Sequence, residues 1–371
     1  MAPIPVTVMI GSMGTDTAHV VSQLVKTDEG GRVTAIIPRK SGKRKRQRPA
    51  PGFVQTQEKL IRLGKGCSCC TVRSDVMSKV KEIVAEQSAD HIVIQTAPMS
   101  DLTTLAKTFT VEDEDGSVLS KVAQLQTMSI VIDGNTFLSS LEGAAGRSLI
   151  ERVEFANVVI ITGGEGLDPR VLAQVKTTLA ALNSEARIVQ SHDALAVSSL
   201  QATSPFSLDA VQRRVAGRGS AANNQSTEEV VRFRYQGRRP FHPGRLHALL
   251  AEPWPGVLRV NGGFWVASQP HLACLLDVAG TDRRTGVDGQ WWATVSEEER
   301  PNSAALKEYL SNIWDPDFGD RHHDISVVGV EVDEMSLRDR FDACLVTDEE
   351  LLARETWSEL AHPFPWPKKK G

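Results

Sequence analysis

Residues 64–76 read GKGCSCCTVRSDV and gather Cys67, Cys69 and Cys70, three of the chain's five cysteines, into four positions. Sulfur at that density could do several kinds of chemistry. As thiolates the three could hold a soft or borderline cation, zinc above all, because sulfur ligands at about 2.3 Å suit tetrahedral Zn2+ and leave a fourth position for water, a partner or a distant side chain. Gly66 supplies the backbone freedom that neighbouring cysteines need to converge. Cys67 and Cys70 also satisfy the Cys-x-x-Cys spacing of a thiol switch. A catalytic nucleophile would want a paired imidazole, and the nearest histidine in sequence, His91, has no visible link to the cluster. The remaining alternative is small buried residues of a turn, without chemistry. Metal binding is the reading expected of three cysteines so closely spaced. Cys274 and Cys344 sit in apolar runs and belong in a core, and His322 and His323, ahead of a strand, are expected to be solvated or structural rather than ligands.

A second stretch has the layout of a phosphate site without its chemistry. Val6–Val25, VTVMIGSMGTDTAHVVSQLV, runs from an apolar strand through a turn at Gly11 and Gly14 into a helical pattern. A Gly-x-x-x-x-Gly-Lys-Ser/Thr turn cradles phosphates on backbone N–H groups, neutralises them with lysine and holds Mg2+ by a hydroxyl. Here Asp16 falls at the second glycine, Thr17 at the lysine and Ala18 at the hydroxyl, and no Lys or Arg occurs before Lys26. A carboxylate at position 16 would repel phosphate. GTP is therefore not expected as a cofactor, and no catalytic residue is assigned.

The third feature is a basic run. Between Pro38 and Gly52 the chain carries Arg39, Lys40, Lys43, Arg44, Lys45, Arg46 and Arg48 with no acid among them, and it ends in Lys368–Lys370 before Gly371. Such a run should be exposed, and it could neutralise phosphates of RNA with salt-sensitive affinity and without sequence choice. The alternative is a solvated charge run with no partner. No DNA specificity is evident, and no amphipathic helix or lipidation signal accompanies it to suggest a membrane.

These features need a scaffold. Short β-branched runs at Val6–Ile10, Val33–Ile37, His91–Gln95, Ser129–Asp133, Asn157–Thr162 and Ala186–Gln190 alternate with helical patterns, among them Val76, Val80, Ile83 and Val84, and Val171, Val175 and Leu179. That alternation predicts βαβ units around a parallel sheet. The expected fold is a three-layer α/β domain over residues 1–199, resembling P-loop NTPases. A linker follows over 200–229, then a smaller α+β domain over 230–361 and a basic tail over 362–371. In the second domain, 230–235, 256–268, 290–295 and 324–332 are expected as strands, and 244–251, 302–313 and 336–343 as helices. Hydrophobic content of 41%, charged content of 24% and a net charge of -4 describe an ordinary soluble protein. The unpaired cysteine count and the absence of a signal-like start point to a reducing cytoplasm.

Together, GCSCCTVRSDV, RRPFHPGRLHALL, WPGVLRVNGGFWVAS and GDRHHDISVVGVEVDEMSLRDRFDACLVTDEE resemble the CobW-like P-loop GTPases over nearly the whole chain. The resemblance implies zinc at Cys67, Cys69 and Cys70, handled in the cytoplasm. It also exposes two further departures. Where the family has Glu-Thr-Thr/Ser-Gly, this chain has Gln95 and Pro98; where the family reads guanine with Asn-Lys-x-Asp, it has Thr162, Gly163, Gly164 and Glu165. Loss of phosphate charge, of the Mg2+-side acid and of base recognition together implies a pseudo-GTPase. With the basic loop and tail, the pattern looks like the actinobacterial branch that recruits a hibernation factor to the ribosome, with small-subunit RNA as the contact. A GTP-dependent zinc metallochaperone and an interaction protein with inert cysteines are the rival readings.

Overall fold

The computed structural model describes residues 2–12, 15, 17–27, 32–37, 53–55, 68–96, 100–109, 118–163, 166–191, 200, 205–215 and 229–366. By compactness the chain divides into two units, one of residues 1–140 and 148–214 and the other of 141–147 and 215–371.

The first unit is built on strands β1 (Ile4–Gly11), β2 (Val33–Ile37), β3 (Phe53–Gln55), β4 (His91–Thr96), β5 (Ala123–Asp133), β6 (Val158–Thr162) and β7 (Arg187–Gln190). They form one parallel seven-stranded sheet in the order β3-β2-β4-β1-β5-β6-β7. The central strands are apolar on both faces, as a sheet covered on two sides requires: Val6, Val8, Met9 and Ile10 are buried, as are Ile92, Val93 and Ile94 opposite them. Helices α1 (Thr17–Thr27), α2 (Ser68–Ala85), α3 (Leu102–Lys107), α4 (Phe137–Leu141), α5 (Gly146–Phe155), α6 (Pro169–Leu182) and α7 (Leu208–Val215) complete the α/β pattern. In α2 the face of Val76, Val80 and Ile83 is buried and Val84 half-buried; in α6, Val175 and Leu179 are buried and Val171 half-buried. Helix α6 starts where Asp168 accepts the Arg170 amide at 2.8 Å and Pro169 occupies the first helical position.

The second unit is a five-stranded antiparallel sheet with order β11-β10-β9-β12-β8, from β8 (Val230–Gly237), β9 (Val257–Phe264), β10 (Leu272–Ala279), β11 (Asp282–Gln290) and β12 (His323–Val330). Helices α8 (Pro243–Ala251), α9 (Ala304–Ile313), α10 (Glu334–Asp342) and α11 (Asp348–Leu352) accompany it. Its core gathers Phe233, Phe241, Val260, Phe264, Ile325 and Phe341, and Phe364 and Trp366 join it.

One expectation for this unit is corrected. Residues 290–295 are not a strand: Gln290 ends β11, and Trp292–Thr294 form a 3-10 turn whose amides at Trp292 and Ala293 are held by the buried Asp320 carboxylate at 2.9 and 2.8 Å. The β10–β11 hairpin was not expected, because its outer strand, DRRTGVDGQ, is an edge strand with little apolar alternation. Among the described residues no helix is long and apolar enough to cross a membrane.

Candidate metal and nucleotide sites

The positions that would read a nucleotide lie at the C-terminal ends of β1, β4, β5 and β6, where open parallel sheets place their ligands. Gly11 closes β1. Beyond it the Ser12 amide donates to the Val131 carbonyl at 2.8 Å, and the Thr15 hydroxyl donates to the Ser12 carbonyl at 2.7 Å. Thr17, the first residue of α1, is buried, and its hydroxyl fills the space that a side chain at residue 11 would need. A Cβ at residue 11 would require the Thr15 and Thr17 hydroxyls to shift. Ala18 is exposed on α1, whereas Gly14 and Asp16 lie outside the described residues.

On β4, Gln95 is half-buried opposite Met9, and the buried Thr96 hydroxyl has no hydrogen-bond partner among the described residues. Pro98 lies outside the described residues. At the end of β6 the Thr162 hydroxyl donates to the Ile132 carbonyl at 2.9 Å, so it is committed to the sheet rather than to a base. Gly163 follows with φ of +77°, in a space bounded by Asp133 and Asn135 where any Cβ would collide. Gly164 and Glu165 are outside the described residues. The sequence reading passed over Asp133. At the end of β5 its carboxylate accepts the Asn135 amide and side-chain NH2 at 3.0 and 3.1 Å and the Thr136 hydroxyl at 3.3 Å. An acid terminating a buried strand was the available signal.

Cys67 lies outside the described residues, and the backbone of Cys69 and Cys70 falls in the first turn of α2. By contrast Cys274 and Cys344 are buried, and burial pushes their thiols up to about 12 and about 11, which keeps them protonated as core residues. His323 is buried too: its Nε2–H donates to the Arg239 carbonyl at 2.7 Å, and its ring stacks on Phe241 at 4.0 Å. His322 is half-buried, with Nδ1 2.8 Å from the Asp320 carbonyl and its ring 5.4 Å from Trp291. Each ring is thus held by a backbone carbonyl. No group of three His, Cys, Asp or Glu side chains is placed to hold a metal among the described residues. The basic positions Arg39, Lys40, Lys43, Arg44, Lys45, Arg46 and Arg48, and Lys368–Lys370, lie outside them.

A parallel three-layer domain of the nucleotide-binding type, followed by a smaller antiparallel α+β domain, is a two-part architecture that family models can test. Residues 5–190 match the CobW/HypB/UreG nucleotide-binding domain, and residues 230–345 match the cobalamin synthesis protein CobW C-terminal domain. The chain belongs to the CobW family. It is 26% identical over 401 residues to zinc-regulated GTPase metalloprotein activator 1 of Dictyostelium discoideum, covering 97% of this chain and 84% of that protein. It is 25% identical over 340 residues to a zinc chaperone of Mycobacterium tuberculosis, covering 84% and 81%. The Zn(II)-bound YjiA GTPase of E. coli aligns over 93% of this chain and 100% of its own, at 15% identity and a TM-score of 0.39.

Proposed function

We propose that this chain is a cytoplasmic, zinc-binding CobW protein that does not turn over GTP and serves as a zinc-responsive adaptor. Cys67, Cys69 and Cys70 take the ion as thiolates, and the basic run from Arg39 to Arg48 contacts RNA of the small ribosomal subunit, to which the protein recruits a hibernation factor. The observation that carries the metal reading is the triplet itself, three cysteines in four positions of the sequence. The relatives named for zinc regulation and zinc chaperoning support the same metal. When bound, the ion would cross-link the three cysteines. Because thiolate sites fill only above a threshold of free metal and release protons on filling, occupancy can bias a neighbouring loop between two arrangements.

The nucleotide side of the proposal rests on chemistry that is missing from the residues present. No cation precedes Lys26, Gln95 stands where an acid would face Mg2+, the Thr162 hydroxyl is spent on Ile132, and the Thr17 side chain occupies the space beside Gly11. These residues do not fit a triphosphate.

Metal analysis of the protein after mild purification, against a Cys67→Ser/Cys69→Ser/Cys70→Ser variant, tests the site: about one zinc per chain in the former and none in the latter is expected. Equal zinc in both removes the site. A GTP-driven zinc chaperone is the second reading, favoured by the names of the relatives. Equilibrium dialysis with labelled GTP and Mg2+ separates the two, and saturable micromolar binding with steady hydrolysis would establish the chaperone instead. Co-sedimentation with small ribosomal subunits across a salt series tests the RNA contact. Neutral replacements from Arg39 to Arg48 should weaken binding and flatten its salt slope; no change in either excludes the run.

A further inference from the structure

Strand β11 (Asp282–Gln290) ends the sheet order of the second unit, and among the described residues no strand pairs with its outer side. Alternate residues of such an edge turn their amide and carbonyl outward, ready to pair with another strand. Natural edges are commonly blunted by brevity, by proline or by lysine. This one is nine residues long and has neither proline nor lysine; its charged residues are Asp282, Arg283, Arg284 and Asp288, two acids against two bases. A shift in the pairing with β10 between Ala273 and Cys274 leaves Asp288 as the extra residue, beyond the central Thr285, Gly286 and Val287. Val287, opposite Cys274, stays 38% exposed.

The occupant is written in the strand itself. Outward from Gly286 in both directions stand Thr285 and Val287, then Arg284 and Asp288. Two copies laid antiparallel about Gly286 therefore set Arg284 of each against Asp288 of the other, and Thr285 of each against Val287 of the other. Opposite charges and β-branched pairs are combinations that stabilise facing strands. Only slips by whole pleats keep every side chain on its own face, so the neighbouring arrangements are centred on Thr285 or on Val287. Centred on Thr285, Asp282 faces Asp288, and like charges directly opposite destabilise. Centred on Val287, Arg284 faces Gln290 and gains no acid. Of the three, Gly286 alone matches charge.

The charges around the edge leave these two positions available. Asp277 pairs with Arg147 and Arg259, and Asp282 with Arg147 and Arg284, so Asp282 keeps Arg147 if Arg284 turns to another acid. The Arg284 side chain is 62% exposed. Asp288 is exposed and makes no ion pair among the described residues. Arg283 lies with its guanidinium 5.2 Å from the centre of the Trp254 ring, and Arg340, close enough to act on it, is paired with Glu252 at 2.8 Å. Gly286 is unobstructed: a Cβ there would meet nothing within 4 Å. We propose that β11 is a self-association edge through which two copies of this chain join their antiparallel sheets into one, about a twofold axis at Gly286. The inference goes beyond the adaptor reading and uses neither metal nor RNA; it stands if zinc binding fails.

The test uses the full chain carrying Cys67→Ser, Cys69→Ser and Cys70→Ser, so that neither those thiols nor zinc held by them joins two copies. Added to it, Gly286→Cys places two thiols across the axis, at the ~5 Å Cα separation that a disulfide spans. Gly289→Cys is the matched control: a Cβ there also meets nothing within 4 Å, but it faces Arg283 of the other copy. Its two thiols therefore stand about 20 Å apart. With diamide as oxidant, Gly286→Cys should cross-link at least ~10-fold faster than Gly289→Cys. Sedimentation equilibrium of the chain without added cysteine should show a concentration-dependent dimer. Asp288→Lys, which sets like charges opposite, should weaken it by about 5-fold or more, and adding Arg284→Glu should restore it. Far-ultraviolet circular dichroism checks folding, and the cysteine comparison decides the matter if a charge variant loses structure. Equal cross-linking of the two cysteine variants, a chain still monomeric at about 0.1 mM, or a double charge variant no better than Asp288→Lys would overturn the proposal.

Discussion

His91 and His323 show how far burial can carry a single side chain from its ordinary chemistry. His91 sits in the first unit with Nε2 2.9 Å from the Thr7 hydroxyl, and burial lowers it from 6.5 to about 4. His323, between Phe241 and the Arg239 carbonyl, is lowered to about 3 by the same cause. Both are neutral when folded, while the unfolded chain takes up a proton on each below its ordinary value. Their contribution to stability is therefore complete above pH 6.5, and it is lost as pH falls through the window that ends at about 4 for His91 and about 3 for His323. Urea unfolding at a series of pH values should show a plateau above pH 6.5 and a decline below it. Replacing His91 with a neutral isostere such as Gln should make that decline shallower; an unchanged slope would show that the imidazole is solvated.

At the scale of elements, helix and strand ends carry much of the specificity. The C-terminus of α5 is closed by Asn183, whose side-chain NH2 donates to the carbonyls of Val153 and Ala156 at 2.8 and 2.7 Å, and by Arg214, which donates to the Glu154 carbonyl at 2.5 Å. Buried carbonyls left without donors are costly, so Asn183→Ala should lower stability by about 1–3 kcal/mol in chemical denaturation, with the m-value unchanged. Before β9 the chain turns at Gly256, with φ of +75°, and a Cβ there would overlap the Val330 carbonyl. Gly256→Ala should cost more than the ~1 kcal/mol of backbone strain alone, because β9 and β12 would have to separate locally. A thermal melt within 1 °C of the parent would contradict this reading.

For the molecule as a whole, five charged side chains among the described residues meet in one cluster of the second unit. Arg147, with its side chain 6% exposed, bonds the Asp277 carboxylate at 2.7 Å, the Asp282 carboxylate at 2.6 Å and both residues' carbonyls at 3.0 and 3.1 Å. Arg259 pairs with Asp277 and Arg284 with Asp282, so each acid serves two guanidiniums. Both acids are more than a third exposed and can rehydrate, which moderates the loss: Arg147→Met should cost about 1–3 kcal/mol rather than the full penalty of a buried broken pair. Arg147→Lys should recover less than half of it, since one ammonium cannot satisfy two carboxylates and two carbonyls at once. Differential scanning calorimetry of the two variants checks the order.

Much of the scaffold was legible in the residues themselves. The strands at 6–10, 33–36 and 158–161 are mainly β-branched residues buried on both faces, as a parallel sheet requires. The helical faces of α2 and α6 followed from spacing, and the core placement of Cys274 and Cys344 from the apolar runs around them. The β10–β11 hairpin and the turn at Trp292 were hidden because an edge strand needs no apolar period and because Asp320, which holds that turn, is 28 residues away. The placement of Thr17 beside Gly11 and the capture of the Thr162 hydroxyl by Ile132 were equally beyond sequence, since both depend on neighbouring backbone.

Composition and spacing by themselves determined that this protein alternates strands and helices around a parallel sheet, that it packs three sulfurs into four positions, and that no Lys or Arg stands before Lys26. Only the tertiary structure decided which polar groups are already spent and which apolar side chains stay uncovered. The reason is that hydrogen-bond partners and exposure are set by residues far apart in the chain, as with Arg300 over Trp314 or Arg238 on the Ile313 carbonyl.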